Sequence, residues 1–290
     1  MKKSLRLFEI NLQSCALLAT VLLAGGLLVK GWLLFAQFQP GSAPNHENVA
    51  RVSSPEFGGG IRRFSKPVAA NPASDASAES LLDGFRHVEV ASVSDAIEQI
   101  TGRRMYMTHR MHPIFTTKFA GYAITVLLKK EEGHQGALQG VLTSIDEGAP
   151  DSVYVMVVED GADIAGMGGL MGTAMAARDF AGAVIDGGVR DTAYLRKIRF
   201  PVYALGEVPS TSINHYRFGG TNIPVTCDGV PVKPHDIVVA DSDGVVVVPQ
   251  DQEAQVLALA QQMDFKEHSM YPYIEQHKSI GEAVRVFGRL

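Results

Sequence analysis

Two short runs hold the residue types with the most chemical potential in this chain: Gly168-Gly169-Leu170-Met171 and, further along, Arg190-Asp191. A glycine pair opening a helix presents backbone N–H groups that lack intrahelical acceptors. Glycine also allows close approach, and the helix dipole favours an anion such as a carboxylate there. Arg190 offers a planar fork suited to a carboxylate or a developing enolate oxygen, and Asp191 is a hard oxygen ligand for Mg²⁺ or Mn²⁺. Together they describe a site for a small, anionic, metal-chelating ligand. Each run also has a plainer reading, a tight strand-to-helix turn for the glycines and a helix cap with a surface ion pair for Arg-Asp.

The elements needed to bring the runs together are legible around them. In order come a strand SVYVMVV, a loop EDGADIAGMGG, a helix LMGTAMAARDF, a strand GAVID, a loop GGVR and a short helix from Asp191. If the two strands lie parallel, the helix between them is a crossover and both loops emerge at the strands' carboxyl ends, where open α/β sheets bind ligands. Further strands are expected at AGYAITVLL, PVYALG, DIVVA and GVVVVP, the last two joined by a hairpin turn at Asp241-Ser242-Asp243-Gly244, and a helix is expected in GALQGVLTSI. The segment SVSDAIEQIT reads as the first helix of the domain, with Ser92 as N-cap and Asp95 in the capping-box position. Ser279 and Glu282 repeat that pattern before AVRVF. The fold class is therefore α/β, a mixed sheet with flanking helices.

Composition narrows the function. A net charge of −5 lacks the basic surplus that nucleic-acid binding requires. Two cysteines, Cys15 and Cys227, cannot form a disulfide framework. Gly166, Gly168 and Gly172 do not satisfy a dinucleotide fingerprint, which also weakens a methyltransferase reading, and no serine stands in GxSxG. His109 and His112 form an HxxH pair without a third ligand at zinc spacing. The apolar stretch Val256 to Ala260 reads as packing against the core or a neighbouring subunit.

The first 80 residues have a different composition. Residues 1–14 carry Lys2, Lys3 and Arg6, and residues 15–38 are apolar apart from Lys30 and Gln37. At about 1.5 Å per residue that run is long enough for a hydrocarbon core of about 30 Å. Lys30, near its end, can snorkel toward the headgroups. The positive start predicts a cytoplasmic N-terminus and a membrane anchor with the following domain extracytoplasmic, in the periplasm. The alternative is secretion after signal cleavage, for which Ala36 is a poor cleavage position because Leu34 precedes it. Residues 39–80, rich in Pro, Gly, Ser, Ala and Asn, read as a flexible linker, leaving 81–290 as one domain of ordinary size.

The segment GGLMGTAMAARDFAGAVIDGGVRDTAYLRKIRFPVYALG, with HDIVVADSDGVVVVP downstream, resembles the RraA-like/4-hydroxy-4-methyl-2-oxoglutarate aldolase family, and the likeness extends over residues 85 to 290. The resemblance implies a swivelling-type α/β fold, a homotrimer or hexamer, and a divalent cation. It also implies cleavage of 4-hydroxy-4-methyl-2-oxoglutarate to two pyruvates, or decarboxylation of oxaloacetate. By that resemblance Gly168, Gly169, Leu170 and Met171 bind the substrate carboxylate through backbone amides, Arg190 holds the keto acid, Asp191 ligates the metal, and Glu267 acts from a neighbouring subunit on metal-bound water. Two positions depart from the family's pattern. Gly169 stands where cleaving aldolases tend to carry Asp, and Tyr194 stands where the family has an acidic residue. A non-enzymatic RraA-like regulator is the alternative the resemblance leaves open.

Overall fold

The computed structural model describes residues 81–115, 118–133 and 139–288. The expected anchor at 15–38 and linker at 39–80 lie outside these residues. Among the described residues no helix is long and apolar enough to cross a membrane.

The chain after a helical stretch at 81–87 runs α1 (Val90–Thr101), β1 (His112–Phe115), β2 (Phe119–Lys130), α2 (Gln139–Asp146), β3 (Ser152–Val158), β4 (Ala165–Met167), α3 (Gly169–Ala177), β5 (Gly182–Val189), α4 (Thr192–Ile198) and β6 (Val202–Glu207). It continues through β7 (Tyr216–Thr221), the hairpin β8 (Val225–Cys227) with β9 (Val230–Val232), β10 (Ile237–Asp241), β11 (Gly244–Val248), the long α5 (Glu253–His277) and α6 (Ile280–Phe287). The main sheet has the order β1-β6-β5-β3-β2-β10-β11, with β4 added to β5 and β7 to β2. Strands β2, β3, β5 and β6 are parallel, and β1, β7, β10 and β11 are antiparallel to their neighbours. Residues 105–107 bond to β11 through Met107 N to Val245 O and Val247 N to Met105 O, and the chain then leads directly into β1 on the far edge. One segment thus links both edges, and the sheet is nearly closed.

The central strands are apolar at almost every position because both faces are covered. Along β3, Val153 and Val155 enter one core with α1, α5 and the β8–β9 hairpin, while Tyr154, Met156 and Val158 enter a second core with α2, α3 and α4. Period-two alternation therefore divides two hydrophobic clusters instead of dividing core from water.

Three expectations about boundaries change. Helix α1 starts at Val90, and Ser92 is buried inside it instead of capping it. The first donors are satisfied from distant carboxylates: Glu89 N–H by Asp264 at 3.1 Å and Val90 N–H by Asp241 at 3.1 Å. The tertiary partners replace a local cap. Strand β5 runs on to Val189, through the expected GGVR loop, because β4 and β6 both pair with its extension. Strand β4 itself forms inside the expected 159–169 loop, where β3 has ended and the edge of β5 would otherwise be unpaired. The parallel crossover, the 241–244 hairpin and the Ser279 cap, which accepts from Glu282 N at 3.1 Å, are as read.

Asp241 is buried and also accepts from Asp243 N at 2.9 Å. Its replacement leaves two backbone donors without their charged acceptor. Asp241→Ala is expected to cost about 3 kcal/mol, lowering Tm by roughly 6–12 °C, with Ser92→Ala well below that. Thermal unfolding of both variants checks it, and a larger loss in Ser92→Ala would restore the local-cap reading.

Candidate functional site

The site forms where β3 and β5 end on the side of the second core. Beyond β3 the chain adds β4 along β5, and Arg190 N–H donates to Met167 O at 3.0 Å. This bond fixes the start of α3 beside the Arg190-Asp191 turn. Asp191 sits at φ +58°, a left-handed conformation that aspartate adopts more readily than most residues. It occupies the N-cap position of α4, yet its side chain does not cap that helix. Instead Oδ2 accepts the Gly169 N–H at 2.9 Å.

Helical bonding in α3 begins with Gly172 N to Gly168 O at 3.1 Å, so the amides of Leu170 and Met171 are first-turn donors without an intrahelical acceptor. Helix α4 is anchored by Arg196, whose Nε donates to Ile114 O at 3.1 Å and whose guanidinium pairs with Glu207. Gly168 permits close packing: a Cβ there would lie 2.8 Å from Asp191 Oδ2 and 3.0 Å from Arg190 Cγ, so a larger residue must shift those side chains.

Gly168 to Met171 together with Arg190 and Asp191 line a cavity of about 320 Å³. The structure thus brings together all of the expected carboxylate-binding and metal-binding residues. The rest of the lining comes from Thr211, Ser212 and Ile213, with Ala165 of β4 and Val141 and Leu142 of α2. The 208–213 loop was not singled out from the sequence. It follows a further parallel strand, β6, so the rule that located the first two loops also applies to it. Ser210 fastens this loop to the β4 segment, accepting from Ala165 N at 2.9 Å and donating to Asp163 O at 2.8 Å, while its carbonyl accepts from Arg190 Nη1 at 3.3 Å.

Glu267 is not among the residues lining this cavity. It lies on α5, where Tyr271 Oη donates to its Oε1 at 2.8 Å, a bond that pushes the tyrosine hydroxyl above its usual pKa.

Among the described residues no group of three or more His, Cys, Asp and Glu converges as a metal cage. The donor set of the cavity is one carboxylate with an oxygen engaged by Gly169. That set suits Mg²⁺ or Mn²⁺, which bind through one or two carboxylates completed by water and substrate oxygens, and not a closed zinc site.

A nearly closed mixed sheet, with a helix start, an arginine and a carboxylate meeting at one cavity beyond its strand ends, defines the class as a mixed α/β protein with a strand-end cavity. The family model described as RraA-like, Aldolase/RraA, matches residues 90–247, and the chain belongs to that family. It is 30% identical over 177 residues to a Halalkalibacterium halodurans protein named "Putative 4-hydroxy-4-methyl-2-oxoglutarate aldolase", covering 61% of this chain and 80% of the relative. The fold is similar to a crystal structure of an uncharacterized protein from Pseudomonas syringae pv. tomato, with TM-score 0.64 and 26% identity over 71% of this chain and 96% of that one. It is also similar to Streptomyces coelicolor RraAS2, described as an unusual member of the RNase ES inhibitor RraA protein family. There the TM-score is 0.59 and the identity 25%, over 69% of this chain and 98% of that one.

Gly168→Ala is expected to displace Arg190 and Asp191 together and to weaken binding of oxalate by about tenfold or more, with the circular-dichroism spectrum unchanged. Calorimetric titration checks this, and undiminished oxalate affinity would show that the close packing at Gly168 does not set the site.

Proposed function

We propose that the domain is a divalent-metal-dependent C–C lyase acting on short 2-keto acids, with decarboxylation favoured over retro-aldol cleavage. The observation that carries this reading is the convergence of the Arg190 fork, the Asp191 carboxylate and the first amides of α3 on one cavity. The family membership supports it, as does the name of the Halalkalibacterium halodurans relative.

In this reading the amides of Leu170 and Met171 hold the substrate carboxylate, and Arg190 donates to the oxygen that becomes negative as the bond breaks. Preorganised donors of that kind stabilise charge where it develops. Asp191 would hold Mg²⁺ or Mn²⁺, and the ion when bound supplies Lewis acidity at the keto oxygen. Glu267 would act from a neighbouring subunit of a homotrimer, since its own subunit does not bring it to the cavity.

The preference between bonds follows from position 169. Retro-aldol cleavage must remove the proton of a 4-hydroxyl group, for which a nearby carboxylate is a suitable base. Within one subunit Asp191 is the sole carboxylate lining the cavity among the described residues, and with Oδ2 accepting from the Gly169 N–H and the carboxylate assigned to the metal it is not that base. Decarboxylation needs no such base: the electrons of the breaking bond pass into the keto group, and Arg190 stabilises the enolate.

Pyruvate release is expected from oxaloacetate above the free-metal rate, and much less from 4-hydroxy-4-methyl-2-oxoglutarate. Efficient release from the second substrate would refute the preference, and no release from either would overturn the lyase reading. A Cβ at 169 would lie 3.2 Å from Tyr194 Cδ1 and 3.3 Å from Asp191 Cβ. Gly169→Asp alone is therefore expected to gain little aldolase activity, and Gly169→Asp with Tyr194→Ala to gain more; equal rates in the two would remove Tyr194 from the explanation.

Asp191→Asn is expected to weaken Mn²⁺ binding by roughly tenfold or more. Arg190→Lys should keep the metal and lose turnover, because lysine lacks the bidentate fork. Metal titrations with steady-state rates check both, and unchanged values in either variant would cancel its assigned role. Mixed assemblies of Glu267→Ala and Arg190→Ala subunits should recover activity that neither variant has alone, and no recovery would remove Glu267 from the site.

A further inference from the structure

The cavity is more apolar than a four-carbon dicarboxylate requires. Of the five exposed aliphatic residues among the described residues, Leu142, Leu170, Ile213, Ile280 and Val286, the first three all line this one cavity. Val141 and Met171 extend the same lining inward. Against them stands one cationic side chain among the described residues, Arg190. A volume of about 320 Å³ is at the small end of ligand sites, yet holds roughly ten waters. One cation in a largely apolar lining matches a ligand with one held carboxylate and a hydrocarbon substituent.

Resting on the lyase reading, we propose that the apolar wall is a subsite for an alkyl group on C3 of the keto acid, so that the preferred substrates are 3-alkyl-substituted oxaloacetates. The C1 carboxylate and C2 keto oxygen lie at Arg190 and the α3 amides. The C4 carboxylate meets no second cation among the lining residues, and the C3 alkyl group lies against Leu142, Met171 and Ile213. The C3–C4 bond breaks, CO₂ leaves, and the electron pair forms the enolate. A proton from solvent then adds at C3 to give a longer 2-oxo acid. No oxidant or reductant is required.

The test begins with binding, which does not depend on turnover. Pyruvate and 4-methyl-2-oxopentanoate, the product of 3-isopropyl-oxaloacetate, are titrated calorimetrically into the full chain with Mg²⁺ present. Three further carbons at about fourfold in affinity each, with an open rim covering about half their surface, give roughly tenfold tighter binding of the longer acid. Its heat-capacity change should also be more negative. In the double variant Leu142→Ser with Ile213→Ser the ratio should fall close to one. Both residues are about half exposed, so the substitutions do not open the core.

Equal affinity in the natural protein would overturn the subsite, as would a ratio that survives the double variant. If the double variant changes the mass by light scattering while the ratio persists, the apolar ring is a subunit contact and the proposal fails. In turnover, 3-isopropyl-oxaloacetate should exceed oxaloacetate in kcat/KM by a similar factor. Preferential binding without decarboxylation of either compound would overturn the lyase reading and leave the subsite standing.

Discussion

The hydrogen bond from the Gly169 amide to Asp191 Oδ2 joins two helix starts that belong to successive crossovers of the sheet. Without it the Gly169 amide would lose its acceptor, and the Arg190 turn would be held to the start of α3 by the Arg190 N–H to Met167 O bond alone among these backbone ties. The bond also explains the left-handed backbone at Asp191. A residue in αR or β geometry there would send its side chain toward the first turn of its own helix, the usual role of an aspartate N-cap. The αL conformation costs free energy and is retained where the surroundings over-determine it. Here the carboxylate gains a cross-helix donor, and Arg190 is turned so that its amide reaches Met167 O and its guanidinium reaches Ser210 O.

This arrangement depends in turn on the parallel register. Val153 pairs with Gly182 and Val157 with Asp186, so β3 stops while β5 continues. The unpaired edge of β5 is then filled by β4, which carries the chain alongside Val189 and delivers Gly168 next to Arg190. Length mismatch between two neighbouring strands thus converts a long connection into a short, fixed one. The second core supports the construction from beneath, because Met167, Met175, Val189 and Leu195 pack in one cluster and couple β4, α3, β5 and α4.

The sequence disclosed most of the apparatus because its signals are local. The strand SVYVMVV is read to its boundaries as β3, since a run of apolar residues at that length has no competing solution once glycine and proline punctuate it. The Ser279 cap and the Asp241–Gly244 hairpin are likewise decided within four residues. The parts that escaped are decided at long range. Strand β4 exists because β5 overhangs, and α1 starts at Val90 because Asp241 and Asp264 arrive from the far end of the domain. The 211–213 part of the cavity lining escaped for another reason. Thr211, Ser212 and Ile213 carry no charge and no motif, and their place follows only from the position of β6 next to β5.

The two departures from the family's pattern, Gly169 and Tyr194, are one feature in space. They are separated along the chain by the whole of α3 and β5, but the Tyr194 ring lies 3.2 Å from where a Cβ of residue 169 would stand. Both are also adjacent to Asp191, whose carbonyl accepts from Tyr194 N at 2.9 Å. A carboxylate at 169 would have to share this space with the ring and with the Asp191 carboxylate, so it would meet a steric neighbour on one side and a like charge on the other. Position 194 lies one turn into α4, so an acidic residue there would add a third negative charge beside the same two groups. The ring is half exposed and brings no charge. With Gly169 it leaves Asp191 as the one anionic and Arg190 as the one cationic side chain lining the cavity among the described residues, a balance set by volume as much as by charge.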